Sequence, residues 1–110
     1  KTEKKNSYKK ETAKKSQSSS KSGRTITMEA TAYNEPGGLT ASGTRARVGA
    51  VAVDPNFIPL GTRLYIEGYG YATAEDTGGA VKGNIIDLYM NSNSEAYNWG
   101  RRPVQVTILD

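Results

Sequence analysis

The stretch AEDTGGAVKGNIIDLYM, residues 74–90, carries two aspartates on either side of a glycine-rich connection. Asp76 and Asp87 each follow apolar residues of the kind that form strands. Aspartate is depleted from strands, so an aspartate inside IIDLY needs a hydrogen-bonding partner or a function. The stretch therefore predicts two strands joined by a loop, with acidic side chains at the edge of an apolar core.

Strand alternation predicts the direction of the second acid. Successive side chains of a strand point to opposite faces. One face of residues 84–90 then carries Ile86, Leu88 and Met90, and the other carries Ile85, Asp87 and Tyr89. The first set is typical of a core. Apolar neighbours raise a carboxyl pKa above its reference of about 3.9, and a raised pKa suits a general acid.

The rest of the chain, followed outward from this stretch, alternates short β-branched runs with turn residues. The candidate strands are residues 24–33, 49–55, 62–68, 69–76, 84–90 and 103–109. This spacing predicts an all-β fold, a small barrel or sandwich. One short helix is predicted near residues 92–100, started by a serine or asparagine cap and ended by Gly100.

The composition restricts the chemistry and divides the chain. The 110 residues include no histidine and no cysteine, which excludes thiol nucleophiles, disulfides and imidazole catalysis. Residues 1–24 hold nine Lys or Arg and two Glu, whereas residues 25–110 hold six Lys or Arg and nine Asp or Glu. With one aromatic residue, residues 1–24 are predicted to be a disordered, flexible basic linker, followed by one folded domain over residues 25–110. The tail is a solvated spacer or a contact for an anionic wall polymer, membrane surface or nucleic acid.

Three acids at predicted strand ends are the candidate catalytic residues. Asp54 ends one strand before Pro55, Asp76 ends another, and Asp87 lies within a third. If the three meet in a cleft, like charges raise at least one pKa further. Turn formation explains Asp54 and Asp76 equally well. Three carboxylates also suit a hard cation, but the dense spacing of calcium loops is absent, so we expect neither a metal nor a cofactor.

Polar and glycine-rich loops supply the candidate substrate-binding residues. A loop of this composition suits hydrogen bonding to a sugar, and it also describes an ordinary turn. Glycines let a backbone approach a ligand, and a lysine can hold a carboxylate or lower the pKa of Asp76. The candidates are Thr40, Ser42, Gly43, Thr77, Gly78, Gly79 and Lys82.

The order of the segments resembles a known family. AVAVDPNFIPLGTRLYIEGYGYATAEDTGGAVKGNIIDLYM, with TAYNEPGGLTASGT before it and NWGRRPVQV after it, resembles the 3D domain, which is named for three aspartates. Those aspartates match Asp54, Asp76 and Asp87. The 3D domain is related to the catalytic barrel of MltA-type lytic transglycosylases. The resemblance covers residues 26–110 and implies a double-psi β-barrel.

The resemblance also implies an activity on peptidoglycan. In MltA-like enzymes an aspartate equivalent to Asp87 protonates the glycosidic oxygen between N-acetylmuramic acid and N-acetylglucosamine. Its carboxylate then accepts the proton of the muramyl 6-hydroxyl, which attacks the anomeric carbon and gives a 1,6-anhydro end without water. Asp54 and Asp76 would hold that proton, orient the substrate or stabilise positive charge. By this resemblance we expect a minimal catalytic barrel, without the second domain that helps MltA-type enzymes form the glycan groove.

Other functions fit the same residues. One is a non-catalytic wall-binding module, since related double-psi barrels in expansin-like proteins bind polysaccharide. Another is a muramidase that uses water, and a third is a nucleic-acid-binding domain, which the mildly acidic folded part disfavours. The resemblance implies an extracytoplasmic location at the bacterial wall or membrane surface, with any signal or anchor upstream. A monomer and a strand-exchanged dimer are both compatible with the sequence.

Overall fold

The structure, a computed structural model, describes residues 23–109 and consists of strands with one short helix. The predicted linker lies outside the described residues, except for residues 23 and 24. The elements are β1 (Thr25–Tyr33), β2 (Ala50–Ala52), β3 (Arg63–Ile66), β4 (Gly70–Asp76), β5 (Ile85–Tyr89), α1 (Asn93–Trp99) and β6 (Arg102–Ile108). Each strand and the helix overlap the range that the sequence predicts, but β2 is shorter than predicted and ends two residues before Asp54. Arg24 directly precedes β1, and its backbone carbonyl accepts a hydrogen bond from the Ile108 N–H.

The six strands close into a barrel in the order β1-β5-β2-β4-β3-β6. β1 pairs with β5 and β2 pairs with β4 in parallel, and the remaining neighbours are antiparallel. Closure leaves no unpaired sheet edge, which suits a domain without disulfides. The predicted fold, a small β-barrel with one short helix, is confirmed.

The core lies inside the barrel and takes alternate side chains from each strand. The largest fully buried side chains are Met28, Ile58, Leu64, Ile66, Ile86, Leu88, Val51, Val53 and Val106. On β5 the alternation is as predicted, because Ile86 and Leu88 belong to this core while Asp87 does not. Residues of the opposite parity form what we call the outer face of the barrel.

The helix is held at both ends and packs against β1. The Ser92 hydroxyl accepts a hydrogen bond from the Glu95 N–H at 3.0 Å, which caps the first turn. Gly100 ends the helix at a positive φ of 69°, and its N–H bonds to the Ala96 carbonyl. The Trp99 indole packs against the core and donates to the Ala30 carbonyl at 3.3 Å. Within residues 23–109, no helix has the length and apolar character needed to cross a membrane.

Candidate functional site

One lateral row of residues crosses four neighbouring strands on the outer face. Asp87 of β5 pairs with Thr31 of β1 on one side and with Ala52 of β2 on the other, and Ala52 also pairs with Asp76 of β4. We call these four residues the acidic row. Paired residues in a sheet point to the same face, and two strand spacings put the two aspartate backbones roughly 10 Å apart. Ala52, which is buried, lies between the two acids in this row.

A bulge in β4 gives Asp76 its place in the row. The β2–β4 register runs Ala50 with Thr73 and Val51 with Ala74, then shifts so that Ala52 pairs with Asp76. Glu75 is the extra residue. In a strand that kept regular alternation through Glu75, Asp76 would share the core-facing side of Ala74, two residues earlier. The inserted residue therefore turns Asp76 to the outer face.

Asp87 is half-buried and bonded to a neighbouring strand. The Thr31 hydroxyl donates to Asp87 Oδ1 at 2.8 Å. Burial raises the pKa of Asp87 above its ordinary value, the Thr31 hydrogen bond opposes that rise, and the negative charge of Asp76 adds to it. The predicted direction of the shift and its two causes are both present. This carboxyl is the one in the site best suited to carry and donate a proton.

Asp76 joins the acidic row to the loop that precedes β2. Its Oδ1 accepts hydrogen bonds from the backbone N–H groups of Ala41 and Thr77, both at 2.8 Å. The candidate loop over residues 40–44 is thereby attached to the end of β4. Thr77 is exposed beside the carboxylate that its backbone contacts.

Glu75 also holds the segment that contains the residue 40–44 loop. Arg47 forms a bidentate ion pair with its carboxylate, at 3.0 and 2.8 Å, and the Thr44 hydroxyl donates to it as well. The Arg47 hydrogen bond lowers the pKa of Glu75, against the opposing effect of burial. No sequence pattern pointed to Glu75. The one signal in the sequence is the pair of consecutive acids, Glu75 and Asp76. Strand alternation would turn one of these two acids toward the apolar core.

The candidate loop residues differ in their access to a ligand. Thr40 is buried, and its hydroxyl bonds to the Thr44 hydroxyl at 2.6 Å. Ser42 and Gly43 are exposed, and Gly43 adopts a φ of 87° that glycine accommodates without strain. The Ser42 N–H bonds to the Glu75 carbonyl at 3.0 Å, so its hydroxyl is presented on a fixed backbone.

Asp54 connects two loops. Its Oδ1 accepts from the Asn56 N–H at 3.0 Å, and its Oδ2 accepts from the Gly83 N–H at 2.8 Å. These two hydrogen bonds lower the pKa of Asp54, and the charge of Lys82 contributes in the same direction. Asp54 is therefore held in the ionised form, which excludes it as a proton donor near neutral pH. Lys82 was predicted to hold a carboxylate or to lower the pKa of Asp76, and in the structure the carboxylate whose pKa it lowers is that of Asp54.

The loop between β4 and β5 contains the remaining candidates. Gly79 is exposed, and no atom lies within 4 Å of the position where a Cβ would stand. A Cβ at Gly78 would approach the Val81 side chain to 3.0 Å, so glycine there permits the close turn. Within residues 23–109, no group of three acidic side chains is placed to hold a metal ion.

Tyr33 is a residue of this site that the sequence analysis missed. It follows Thr31 by two residues on the outer face of β1 and pairs with Tyr89 of β5. The two rings meet edge to face, with centroids 5.3 Å apart. Burial raises the pKa of the Tyr33 hydroxyl, and the charges of Asp76 and Asp87 raise it further. The stretch TAYNEPGG gave no signal that this ring would lie beside both acids.

Comparison with known proteins now identifies the family. A sequence model described as "3D domain" matches residues 49–110, which include all three aspartates. The chain belongs to the 3D domain family.

Two curated relatives of this 3D domain protein come from Bacillus subtilis (strain 168). The "Cell wall-binding protein YocH" is 50% identical over 93 residues, which are 77% of this chain and 32% of YocH. The "Putative cell wall shaping protein YabE" is 43% identical over 103 residues, which are 86% of this chain and 25% of YabE. The chain thus spans a third or less of the length of these relatives.

Solved structures resemble the same 3D domain. The lytic transglycosylase MltA from Escherichia coli superposes with a TM-score of 0.56 at 29% identity, covering 69% of this chain and 28% of MltA. The lytic transglycosylase LtgG of Burkholderia pseudomallei superposes with a TM-score of 0.54 at 24% identity, which shows a shared fold. The barrel is therefore related to the fold of MltA, as the sequence predicted.

Proposed function

We propose that this chain binds the glycan strands of peptidoglycan through the outer face that carries the acidic row. The observation that carries the proposal is the outward display of Asp76 and Asp87 on a barrel of the 3D family. Carboxylates accept hydrogen bonds from hydroxyl groups, which glycan strands present in abundance. The relatives support this ligand, because YocH is named as cell wall-binding and YabE as cell wall shaping.

Cleavage of the bound strand is the second candidate, and a specific observation favours it. Asp87 combines a raised pKa with a position between Thr31 and Ala52 on an outward-facing strand. The related barrel of MltA belongs to a lytic transglycosylase. A module that only binds has no need for a carboxyl whose ionised form is disfavoured by burial.

In that reaction Asp87 acts first as an acid and then as a base. Its carboxyl proton goes to the glycosidic oxygen as the bond between that oxygen and the muramyl anomeric carbon breaks. The muramyl 6-oxygen then bonds to the same carbon, and its proton returns to Asp87. No water is consumed, and the attacking hydroxyl belongs to the substrate, so a second, water-activating carboxylate is not required.

The other acids have supporting parts in this proposal. Asp76 keeps the pKa of Asp87 raised by its charge and holds the residue 40–44 loop beside the acidic row. Asp54 fixes the loop that carries Lys82 and Gly83 and so shapes one border of the face. The exposed candidates for contacts with sugar along the two loops are Ser42, Gly43, Thr77, Gly79 and Lys82.

The location follows from the ligand. A domain that binds peptidoglycan acts outside the cytoplasm, at the cell wall, and its partner is the glycan strand. A contact between the basic segment and anionic wall polymer belongs to the same proposal, and that segment lies outside the described residues. The mildly acidic folded part disfavours nucleic acid as the partner.

One experiment separates the two candidates. The full chain is incubated with purified insoluble peptidoglycan, the bound fraction is measured by sedimentation, and the released sugars are measured by mass spectrometry. Binding without release supports the binding function, and release of 1,6-anhydro ends supports lytic cleavage. Reducing ends indicate hydrolysis by water. The absence of both binding and release would refute the proposed function.

A matched charge control comes from the same barrel. Glu67 is an exposed acid in the turn between β3 and β4, at the opposite end of β4 from Asp76. Glu67→Gln removes one negative charge far from the acidic row. We expect it to bind peptidoglycan like the wild type, whereas Asp76→Asn weakens binding.

A further inference from the structure

The tyrosines around the acidic row differ in what their hydroxyl groups bond. The Tyr69 hydroxyl donates to the Tyr89 carbonyl at 2.7 Å and accepts from the Gly49 N–H at 2.9 Å. The Tyr33 hydroxyl oxygen is buried and has no hydrogen-bond partner among residues 23–109. A buried hydroxyl without a partner costs stability, because it has lost water and gained nothing in exchange.

Packing does not account for this hydroxyl. The edge-to-face contact with Tyr89 involves the two rings, at an interplanar angle of 85°. A phenylalanine ring would make the same contact without burying a polar atom. Among residues 23–109 the ring of Tyr33 makes the contact with Tyr89, and its oxygen makes no hydrogen bond.

The surroundings of Tyr33 define the kind of partner that suits it. Asp76, Asp87 and Glu35 all act on the hydroxyl with their negative charge, which together with burial raises its pKa. The group therefore stays protonated at all physiological pH values and is available as a hydrogen-bond donor. The same three acids repel an anionic ligand. The fitting acceptor is thus a neutral oxygen.

We propose that Tyr33 is a ligand-binding residue whose hydroxyl donates a hydrogen bond to a neutral oxygen of a glycan lying along the acidic row. Sugar hydroxyl groups and acetamido carbonyls are the neutral acceptors that such a strand provides. Tyr33 as a residue is only partly buried although its hydroxyl oxygen is buried, so a change of side-chain rotamer is the movement by which the oxygen would reach the ligand. This inference rests on the proposed function, because it assumes that a glycan occupies the face.

The test compares three Tyr→Phe substitutions in the full chain. Affinity for soluble glycan strands of peptidoglycan is measured by calorimetry, and Tm is measured separately. Tyr33→Phe is expected to weaken binding roughly five- to tenfold, the effect of one neutral hydrogen bond, with a Tm no lower than that of the wild type. Tyr69→Phe loses two internal hydrogen bonds and lowers Tm. Tyr71→Phe, at a residue that is 75% exposed, changes neither.

Each other outcome overturns the inference in a recognisable way. If the wild type binds the strands and Tyr33→Phe binds them equally well, the Tyr33 hydroxyl does not reach the ligand. A variant that loses both Tm and affinity shows a structural role. If the wild type itself neither binds nor cleaves the strands, the proposed function fails, and the inference fails with it. If Tyr33→Phe does weaken binding, strands without N-acetyl groups identify the acceptor. The loss of affinity caused by Tyr33→Phe disappears on those strands only if the acceptor is an acetamido carbonyl.

Discussion

Asp54 and Asp87 have the same type of side chain and lie in two regions of one barrel. Their environments shift the carboxyl pKa in opposite directions. In the loop that follows β2, Asp54 accepts hydrogen bonds from two backbone N–H groups, and its pKa is lowered. On β5, Asp87 is half-buried and receives one hydroxyl, and its pKa is raised. The loop favours the ionised form of its aspartate, whereas the sheet disfavours the ionised form of Asp87. Two members of the three-aspartate motif thus have pKa values shifted in opposite directions, which suits them to different roles.

The largest expected effect tests the acid side of this comparison. If the chain cleaves peptidoglycan, Asp87→Asn should reduce the release of 1,6-anhydro ends by about 10²-fold or more, since it removes the transferable proton. An asparagine oxygen still accepts from Thr31 and carries no charge. Because the pKa of Asp87 is raised in the folded state, ionisation of this carboxyl lowers the stability of the wild type as pH rises. The Tm of Asp87→Asn at pH 7 should therefore equal or exceed that of the wild type. Sugar release is measured by mass spectrometry and Tm by calorimetry, and retained cleavage would assign the acid elsewhere.

The next effect tests the anion side. Asp54→Ala should lower Tm at neutral pH, because two loop N–H groups lose their acceptor. The pKa of Asp54 is lowered in the folded state, so its stabilisation is present above the unfolded pKa of about 3.9 and is lost as pH falls through the folded pKa. The difference in Tm between wild type and variant should therefore shrink on acidification.

Two outcomes would break this interpretation of Asp54. Asp54→Asn retains one acceptor oxygen and should lose less Tm than Asp54→Ala. If both variants melt like the wild type at neutral pH, the two hydrogen bonds do not stabilise the fold. If the difference in Tm instead grows with acid, Asp54 behaves like Asp87, and the comparison collapses.

The smallest expected effects are shifts in the pKa of Asp87, produced by substitutions of its neighbours. Thr31→Val deletes the hydroxyl that favours the ionised form, so the pKa of Asp87 should rise. Asp76→Asn deletes the neighbouring negative charge, so that pKa should fall. Titration of the Asp87 carboxyl carbon by NMR checks both directions, with Glu67→Gln as the variant expected to leave the titration unchanged. Shifts of the same sign in both variants would contradict the assigned causes.

The sequence predicted the strands well because their signals are local. Alternation from Ile85 to Tyr89 set the outward direction of Asp87, and Ser92 and Gly100 marked the ends of the helix. The neighbours of Asp87 were not predictable in the same way. Thr31 meets Asp87 across 56 residues through a parallel register that no local pattern encodes.

Glu75 and Tyr33 show why the rest of the site was missed. A bulge is one extra residue in an otherwise regular strand, and the letters ATAED do not reveal where the register shifts. The partnerless hydroxyl of Tyr33 depends on every group packed around it, which is a property of the assembled barrel. Local periodicity thus located the acids, and tertiary pairing determined what each acid does.

The pairing of the first strand with the last has a consequence for how the barrel folds. β1 pairs with β6 from Thr25 with Thr107 to Ala30 with Arg102, so the barrel closes only after nearly the whole domain is available. Contacts at such sequence separation slow folding, because the loop entropy is lost before the contacts are gained. During synthesis, β1 has neither of its two neighbours until β5 emerges. We therefore expect the domain to fold late and in one cooperative step.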